Sequence, residues 1–453
     1  MRPQLLWLGW LSLLVIQIFS FSNVRSDDAF ISYRYGQNLA NGEGLVFNPG
    51  DKLLGSTSPG QMLLSAAVYW VCGLEVTPSV MATLGCLAWS AQVMALFLLL
   101  TPSIGRGGAA LIAWVVGIGG TRAQAWVPLE TNLVAACVVF AFVAADRRRW
   151  YLTAVLAAFA TLIRPDAWLA ALVLGAWCIW ETRQRALGPS AVFALLAAAW
   201  PVFALAYYGS PVPLSALAKY HRSLPLDYLT HELTYPSSLL LPEFDPTLRV
   251  LVMAVLAIFG AWSVARRAPR LLPFVIYGVA HAAAYLQLRP LIPHQWHLYP
   301  WVLAVCVLCW SGLVLAYDSC VSQQRRALGA VCAAVIAILF VSQALDFAQS
   351  ARDLDAGYWT GQRHATYLAI AKYLKEHTPK GEMFGSVEVG TLAYYSDVPA
   401  FDFGGLVTRP SERLDKRPVR YLVVDKVYIP RGSPVRPAFQ SQHGDFFAVV
   451  YQR

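Results

Sequence analysis

The strongest constraint on this chain is a series of apolar segments, many close to the ~20 residues that cross a bilayer as a helix. They run from Leu5 to Phe21, Pro78 to Leu100, Ala109 to Gly120, Pro128 to Ala145, Trp150 to Ile163 and Ala167 to Trp180. The series continues with Ser190 to Tyr207, Leu248 to Ala265, Leu271 to Leu286, Trp296 to Ala316 and Ala327 to Leu345. Only 13% of the 453 residues are charged, and 57% are hydrophobic. A soluble domain carries about a quarter charged residues. The expected class is therefore an α-helical polytopic membrane protein.

Gln61 to Leu74 is apolar but short, and it decides the topology. Ser58-Pro59 before it suits an N-cap followed by proline in the first helical turn. If it lies along the surface, Arg106, Arg147-Arg148-Arg149, Arg183 with Arg185, Arg266-Arg267 with Arg270, and Arg325-Arg326 share one side. If it crosses, the acidic loop before it joins Arg147-Arg148-Arg149. Arginine collects in cytoplasmic loops, which selects the first arrangement. The expectation is about 11 transmembrane helices plus one interfacial helix. The same groups account for the net charge of +9 without a basic face, which excludes a nucleic-acid partner. The first span lacks a clean small-x-small cleavage site and reads as uncleaved. All eight cysteines lie in or beside apolar runs, so no disulfide framework is expected.

From about Asp346 the composition becomes that of a soluble unit. Arg363 to His377 reads as an amphipathic helix with Tyr367, Ile370, Ala371 and Leu374 on one face. Met383 to Val387, Val398 to Phe403, Tyr421 to Asp425 and Phe446 to Tyr451 read as strands. The division is thus a transmembrane domain, 1–345, whose first extracytoplasmic loop is 22–77, and a small extracytoplasmic α/β domain, 346–453. The latter lacks the glycine-rich strand-turn-helix of a nucleotide site.

The first loop holds an adjacent acidic pair, Asp27-Asp28, followed by Arg34, Tyr35 and Asn38 on the helix expected over Ala29 to Ala40. Asp27 and Asp28 stand where that helix begins, and aspartate is a favoured N-cap. A cap uses one carboxylate, however, and charge at a membrane protein's mouth is costly unless it works. Other isolated charges converge on the same side: Glu130, Arg164 with Asp166, Lys219, His221, Arg289, His294 and His297, with Gln295 between the last two. Several have plain structural explanations. Lys219 can snorkel to headgroups, and His294 and His297 suit an interfacial aromatic belt. Arg164 and Asp166 suit a helix start around Pro165. Glu130, near the start of a span, is costlier to bury and a better site candidate.

The stretch DDAFISYRYGQNLANGEGLVFNPGDKLLGSTSPGQMLL resembles the first extracytoplasmic loop of bacterial multi-spanning glycosyltransferases of the GT-C type, the arabinofuranosyltransferases included. The resemblance continues through PLETNL (128–133), TLIRPDAWL (161–169), YYGSPVPLSALAKY (207–220), PHQWHLYPW (293–301) and VGTLAYYSDVPAFDFGGLV (389–407). One departure is Gly55-Ser56-Thr57-Ser58, where many relatives carry an aromatic residue before the threonine. The resemblance implies a polyprenyl-phosphate sugar donor, a glycan or lipid acceptor, and transfer at the outer face of the bacterial inner membrane. It implies an acidic first-loop residue as catalytic base, by position Asp27 with Asp28 as partner. Such a base, without a covalent nucleophile, fits inverting direct displacement. Arg34, Tyr35, Asn38, Glu130, Arg164, Lys219, His221, Arg289, His294, Gln295 and His297 are the substrate-binding candidates. No cofactor is certain; a divalent metal at Asp27-Asp28 is open. The alternative reading is a transporter or flippase of a polyprenyl-linked glycan, for which inverted repeats and broken midplane helices are expected; neither is evident.

Overall fold

In the computed structural model, residues 3–118, 128–219, 225–240, 245–290, 295–356, 361–425, 436–443 and 446–452 are described. The chain opens with α1 (Pro3–Phe21), α2 (Asp27–Ala40) and α3 (Pro59–Ile118). It continues through α4 (Thr131–Asp146), α5 (Trp150–Ile163), α6 (Trp168–Thr182) and α7 (Leu187–Tyr208). Two short helices follow, α8 (Leu214–Lys219) and α9 (Pro225–Leu240). Then come α10 (Pro246–Arg267), α11 (Leu272–Leu288), α12 (Tyr299–Ser322) and α13 (Arg326–Ala356). Among the described residues, six helical stretches could each cross a membrane by length and composition, and Leu8–Phe21 of α1, α4 and α5 are shorter apolar helices. The long α3 is broken at Gly73 (φ 75°) and Gly105 (φ 79°). It therefore comprises the short apolar segment expected at 61–74 and the two spans expected after it. Each of the eleven expected spans falls mainly on a helix over its described residues, though 128–130 precede α4 and Leu298 separates a short helical turn, Gln295–His297, from α12. The chain is an integral membrane protein.

The bundle is organised around α12, which is buried along most of its length. An apolar helix with no polar face belongs inside a bundle or a membrane. Helices in lipid approach closely only where small residues line the contact. Here α10 meets α12 through Gly260 and Gly312: a Cβ on Gly260 would stand 2.0 Å from the Leu308 carbonyl oxygen. Backbone cannot yield as a flexible side chain can. Gly260→Leu should therefore cost at least the ~1–3 kcal/mol typical of overpacking. Gly175→Ala, in open space on α6, should leave the thermal midpoint in detergent unchanged. Equal midpoints for the two variants would show that this crossing is not tight.

The C-terminal unit contains α14 (Arg363–His377), β1 (Met383–Ser386), α15 (Gly390–Ser396), β2 (Ala400–Asp402), β3 (Val419–Asp425), β4 (Arg436–His443) and β5 (Phe446–Gln452). The sheet order is β2-β1-β3-β5-β4, with β1 parallel to β2 and β3 and β5 antiparallel to β3 and β4. α14 has the bounds expected from its periodicity. Four elements, α8, α9, α15 and β4, were not expected as such, and α13 runs to Ala356 rather than ending near Leu345.

This unit shares a core with the first loop. Ile31, Tyr35, Phe47 and Leu54 pack in one cluster with Tyr367, Leu374, Phe384 and Val450. The edge strand β2 is covered by Asn48, whose amide donates to the Ala400 carbonyl (2.9 Å) and accepts from the Ala400 N–H (2.9 Å). One side chain thus stands in for a neighbouring strand and closes an edge that could otherwise pair with another chain. Arg417 bonds Asp51 at 3.1 Å, and the Tyr394 hydroxyl donates to the Leu74 carbonyl at 2.9 Å.

Candidate active site

A cavity of about 460 Å³ opens where α2, the turn at 55–58, the start of α4, the α5–α6 corner and the segment 211–216 converge. α2 presents Asp28, Ile31 and Ser32 to it, the i, i+3, i+4 spacing of one helix face. Asp27 lies about 100° around the helix and meets different surroundings. Its Oδ1 accepts from the Thr391 N–H (2.8 Å) and its Oδ2 from the Gly390 N–H (3.0 Å). The acidic pair is therefore divided. Asp28 lines the cavity, while Asp27 caps a helix in the C-terminal unit. Both lie in the first turn of α2, whose N-cap position is Ser26, so neither caps its own helix.

The cavity lining also includes Glu130, Arg164 and Asp166. Pro165 turns the chain between α5 and α6 and brings Arg164 and Asp166 to one point. The Arg164 guanidinium lies 3.7 Å from Glu130 and 2.5 Å from Asp166, and also donates to the Trp296 carbonyl at 3.1 Å. Asp166 accepts from the Tyr285 hydroxyl (2.9 Å) and faces His281 Nε2 at 3.4 Å. Tyr285 stacks between His281 and His297, and His297 and Trp296 reach the lining. The expected local Arg164–Asp166 pair is thus the centre of a network that extends to α11. Tyr285 and His281 were not among the expected site residues. Their signal was present: two polar rings four residues apart in an apolar span are expensive without a function or partner.

The structure brings Asp28, Glu130, Arg164 and His297 together. It places other candidates elsewhere. Arg34 is fully buried and bonds Gln37 and Asp397. The Tyr35 hydroxyl donates to the Leu53 carbonyl and accepts from the Gly55 N–H. The Asn38 amide donates to the carbonyls of Val46 and Phe47. These three side chains fold the loop that forms the cavity rim. Arg289 ends α11 at φ 45° and is not part of the lining. His221 and His294 lie outside the described residues, as do the side chains of Lys219 and Gln295. Among the described residues, no three His, Cys, Asp or Glu side chains are grouped to hold a metal ion.

Behind Asp27, Glu388 pairs with Arg363 at 2.5 Å. Burial, then the charges of Asp27 and Asp28, raise the Glu388 carboxyl above its ordinary 4.5, and Arg363 offsets this only in part. A carboxyl whose folded pKa is raised stabilises the fold fully below the unfolded value and loses that contribution as pH rises toward the folded one. The thermal midpoint should therefore fall as pH rises from 4.5 through the raised Glu388 value, and Glu388→Gln should flatten that slope. An unchanged slope in Glu388→Gln would assign the pH dependence to other groups. His364, stacked on Phe30, is pushed down to about 4 by burial and by Arg25. It is protonated more in the unfolded chain between that value and 6.5, so it adds a rising slope there, which the comparison of Glu388→Gln with the parent cancels.

This architecture, a helical membrane bundle with a sheet-bearing C-terminal unit packed on the first loop, is the GT-C fold. ArnT from Cupriavidus metallidurans in the apo state is similar over 98% of this chain and 97% of its own, with TM-score 0.68 and 13% identity. ArnT bound to undecaprenyl phosphate matches over 100% of this chain and 98% of its own, with TM-score 0.66 and 13% identity. An Archaeoglobus fulgidus oligosaccharyltransferase complexed with Zn and sulfate matches over 92% of this chain and 67% of its own, with TM-score 0.62 and 12% identity. Residues 356–452 match a family model described as a domain of unknown function (DUF8728). No curated protein matches the sequence.

Proposed function

We propose that this protein is a membrane glycosyltransferase of the arabinofuranosyltransferase-like kind. It transfers a sugar from a polyprenyl-phosphate donor to a glycan or lipid acceptor at the extracytoplasmic face of a bacterial inner membrane. The observation that carries this reading is one carboxylate, Asp28, lining a cavity of about 460 Å³ together with the largely buried Glu130–Arg164–Asp166 network. Transfer needs a base for the acceptor hydroxyl and stabilisation of the departing phosphate. Asp28 takes the first role. Glu130 and Asp166 share Arg164 between them, so they serve better as an anchoring wall than as bases. Arg164, already flanked by two carboxylates, is a poor phosphate ligand. We assign the phosphate instead to Lys219, His221, Arg289 and His294, cationic or imidazole side chains close in sequence to the lining residues 211–216 and 296–297. The undecaprenyl phosphate in one ArnT structure supports a lipid-phosphate donor for this fold.

The test is incubation of the purified protein with a panel of polyprenyl-phosphate sugars and candidate acceptors, following release of polyprenyl phosphate. One donor should be consumed. A chelator arm reads whether a divalent ion takes part. If no donor is consumed, while reconstituted vesicles move an intact polyprenyl-linked glycan across the bilayer, the protein is a transporter and this reading is wrong.

A further inference from the structure

α2 and α15 lie side by side and hold each other at both ends. At one end the Asp27 carboxylate accepts the N–H groups of Gly390 and Thr391, the first two residues of α15. At the other, the buried Arg34 guanidinium pairs with Asp397, the C-cap of α15. Asp27 to Arg34 is seven residues, and so is Gly390 to Asp397. At 1.5 Å per residue both spans are about 10 Å, so the two contacts are in register. A carboxylate stands at the helix N-terminus and a guanidinium near its C-terminus, each the sign that the helix dipole favours. Between them Phe30 packs edge-on to Tyr394. Asp27, Phe30 and Arg34 form one i, i+3, i+7 stripe along α2. The adjoining stripe of Asp28, Ile31 and Ser32 faces the cavity.

The fit leaves no slack at the acidic end. A Cβ on Gly390 would stand 2.1 Å from the Asp27 carbonyl oxygen and 3.1 Å from its carboxylate. Only glycine lets α15 come this close. Behind the clamp, Arg363 supplies the positive charge that faces Asp27 and Glu388 together.

We propose that Asp27 is a positioning residue: its clamp on α15, mirrored by Arg34 on Asp397, fixes the rotation of α2 and so aims Asp28 into the cavity. The C-terminal unit is then part of the catalytic apparatus, because α15 is the template against which the base is set. This rests on the reading of Asp28 as the acting carboxylate. Misplacing a reacting group by about 1 Å can cost about 10²-fold in rate, so a small rotation of α2 matters even in a folded protein.

The experiment compares Asp27→Asn, Asp27→Ala and Gly390→Ala with Asp28→Asn, measuring kcat and donor KM per folded enzyme well below the unfolding midpoint. Asparagine keeps one acceptor oxygen but turns its NH2 toward the second N–H, so it preserves one of the two clamp bonds, whereas alanine removes both. Asp27→Asn should retain turnover within about 3-fold, whereas Asp27→Ala should lose about 10-fold or more in kcat with donor KM unchanged. Gly390→Ala should match Asp27→Ala; should it fail to fold, the Asp27 pair still decides. A merely structural clamp would lower the unfolding midpoint and leave kcat of the folded fraction alone, which overturns the proposal. An Asp27→Asn variant as inactive as Asp28→Asn also overturns it, because Asp27 would then be doing chemistry. If Asp28→Asn itself turns over normally, the failure lies in the reading of the cavity as a transferase site.

Discussion

Asp28→Asn should express, fold and bind donor like the parent protein and turn over about 10²-fold slower or worse. The substitution keeps the side chain's shape and most of its hydrogen bonding but removes its capacity to take a proton from an acceptor hydroxyl. Asp28 stands in the first turn of α2 on the cavity face, so the change should not disturb the cap on α15 or the first-loop core. The loss should fall on kcat, with donor KM held, because a base acts in the transition state and contributes little to ground-state binding. The neighbouring carboxylates cannot readily substitute, since Glu130 and Asp166 are both engaged with Arg164. Steady-state assays at saturating donor, beside a thermal unfolding curve, check this. Activity within 10-fold of the parent would remove Asp28 from the chemistry.

How much of this was legible in the sequence varies element by element. The spans announced themselves, since an apolar run of the right length has few alternatives in lipid. Arg363–His377 was legible to the residue because one face repeats apolar side chains and Pro379-Lys380-Gly381 follows. α15 was not: seven residues with two adjacent tyrosines are too short to form a helix by propensity. It exists because α2 caps it. β4 carries Pro437 and polar residues and is read as a strand only when β5 is beside it. At the site, the acidic pair stood out, but adjacency says nothing of direction. Neighbours on a helix point about 100° apart, and only packing shows that one meets α15 and the other the cavity. Arg34, Tyr35 and Asn38 looked like ligands because they are polar and close to the acids, yet they bond residues 37 to 55 and Asp397. The Asp166–Tyr285 contact spans over a hundred residues, a separation that no local spacing reveals.

Arg164→Met should be the most destabilising of the substitutions considered, by about 3 to 5 kcal/mol. The Arg164 side chain is 7% exposed, that of Glu130 8% and that of Asp166 17%. Removing the guanidinium leaves two carboxylates facing each other in a nearly closed wall, without the cation that balances them. It also strips a donor from the Trp296 carbonyl and from Tyr285. Against a total stability of about 5 to 15 kcal/mol for a folded domain, such a loss consumes much of the margin. Arg164→Lys should fall between, since an ammonium keeps the charge but cannot hold Glu130, Asp166 and Trp296 in one planar fork. The decisive variant is the triple Glu130→Gln, Arg164→Met, Asp166→Asn, which removes all three charges together. Because the penalty of the single variant is an uncompensated buried charge, the triple should recover a good part of the lost stability. Thermal midpoints in detergent and the monodisperse fraction by gel filtration measure the series. A triple variant less stable than Arg164→Met alone would locate the cost in lost hydrogen bonds and packing, and the wall would not be held by charge balance.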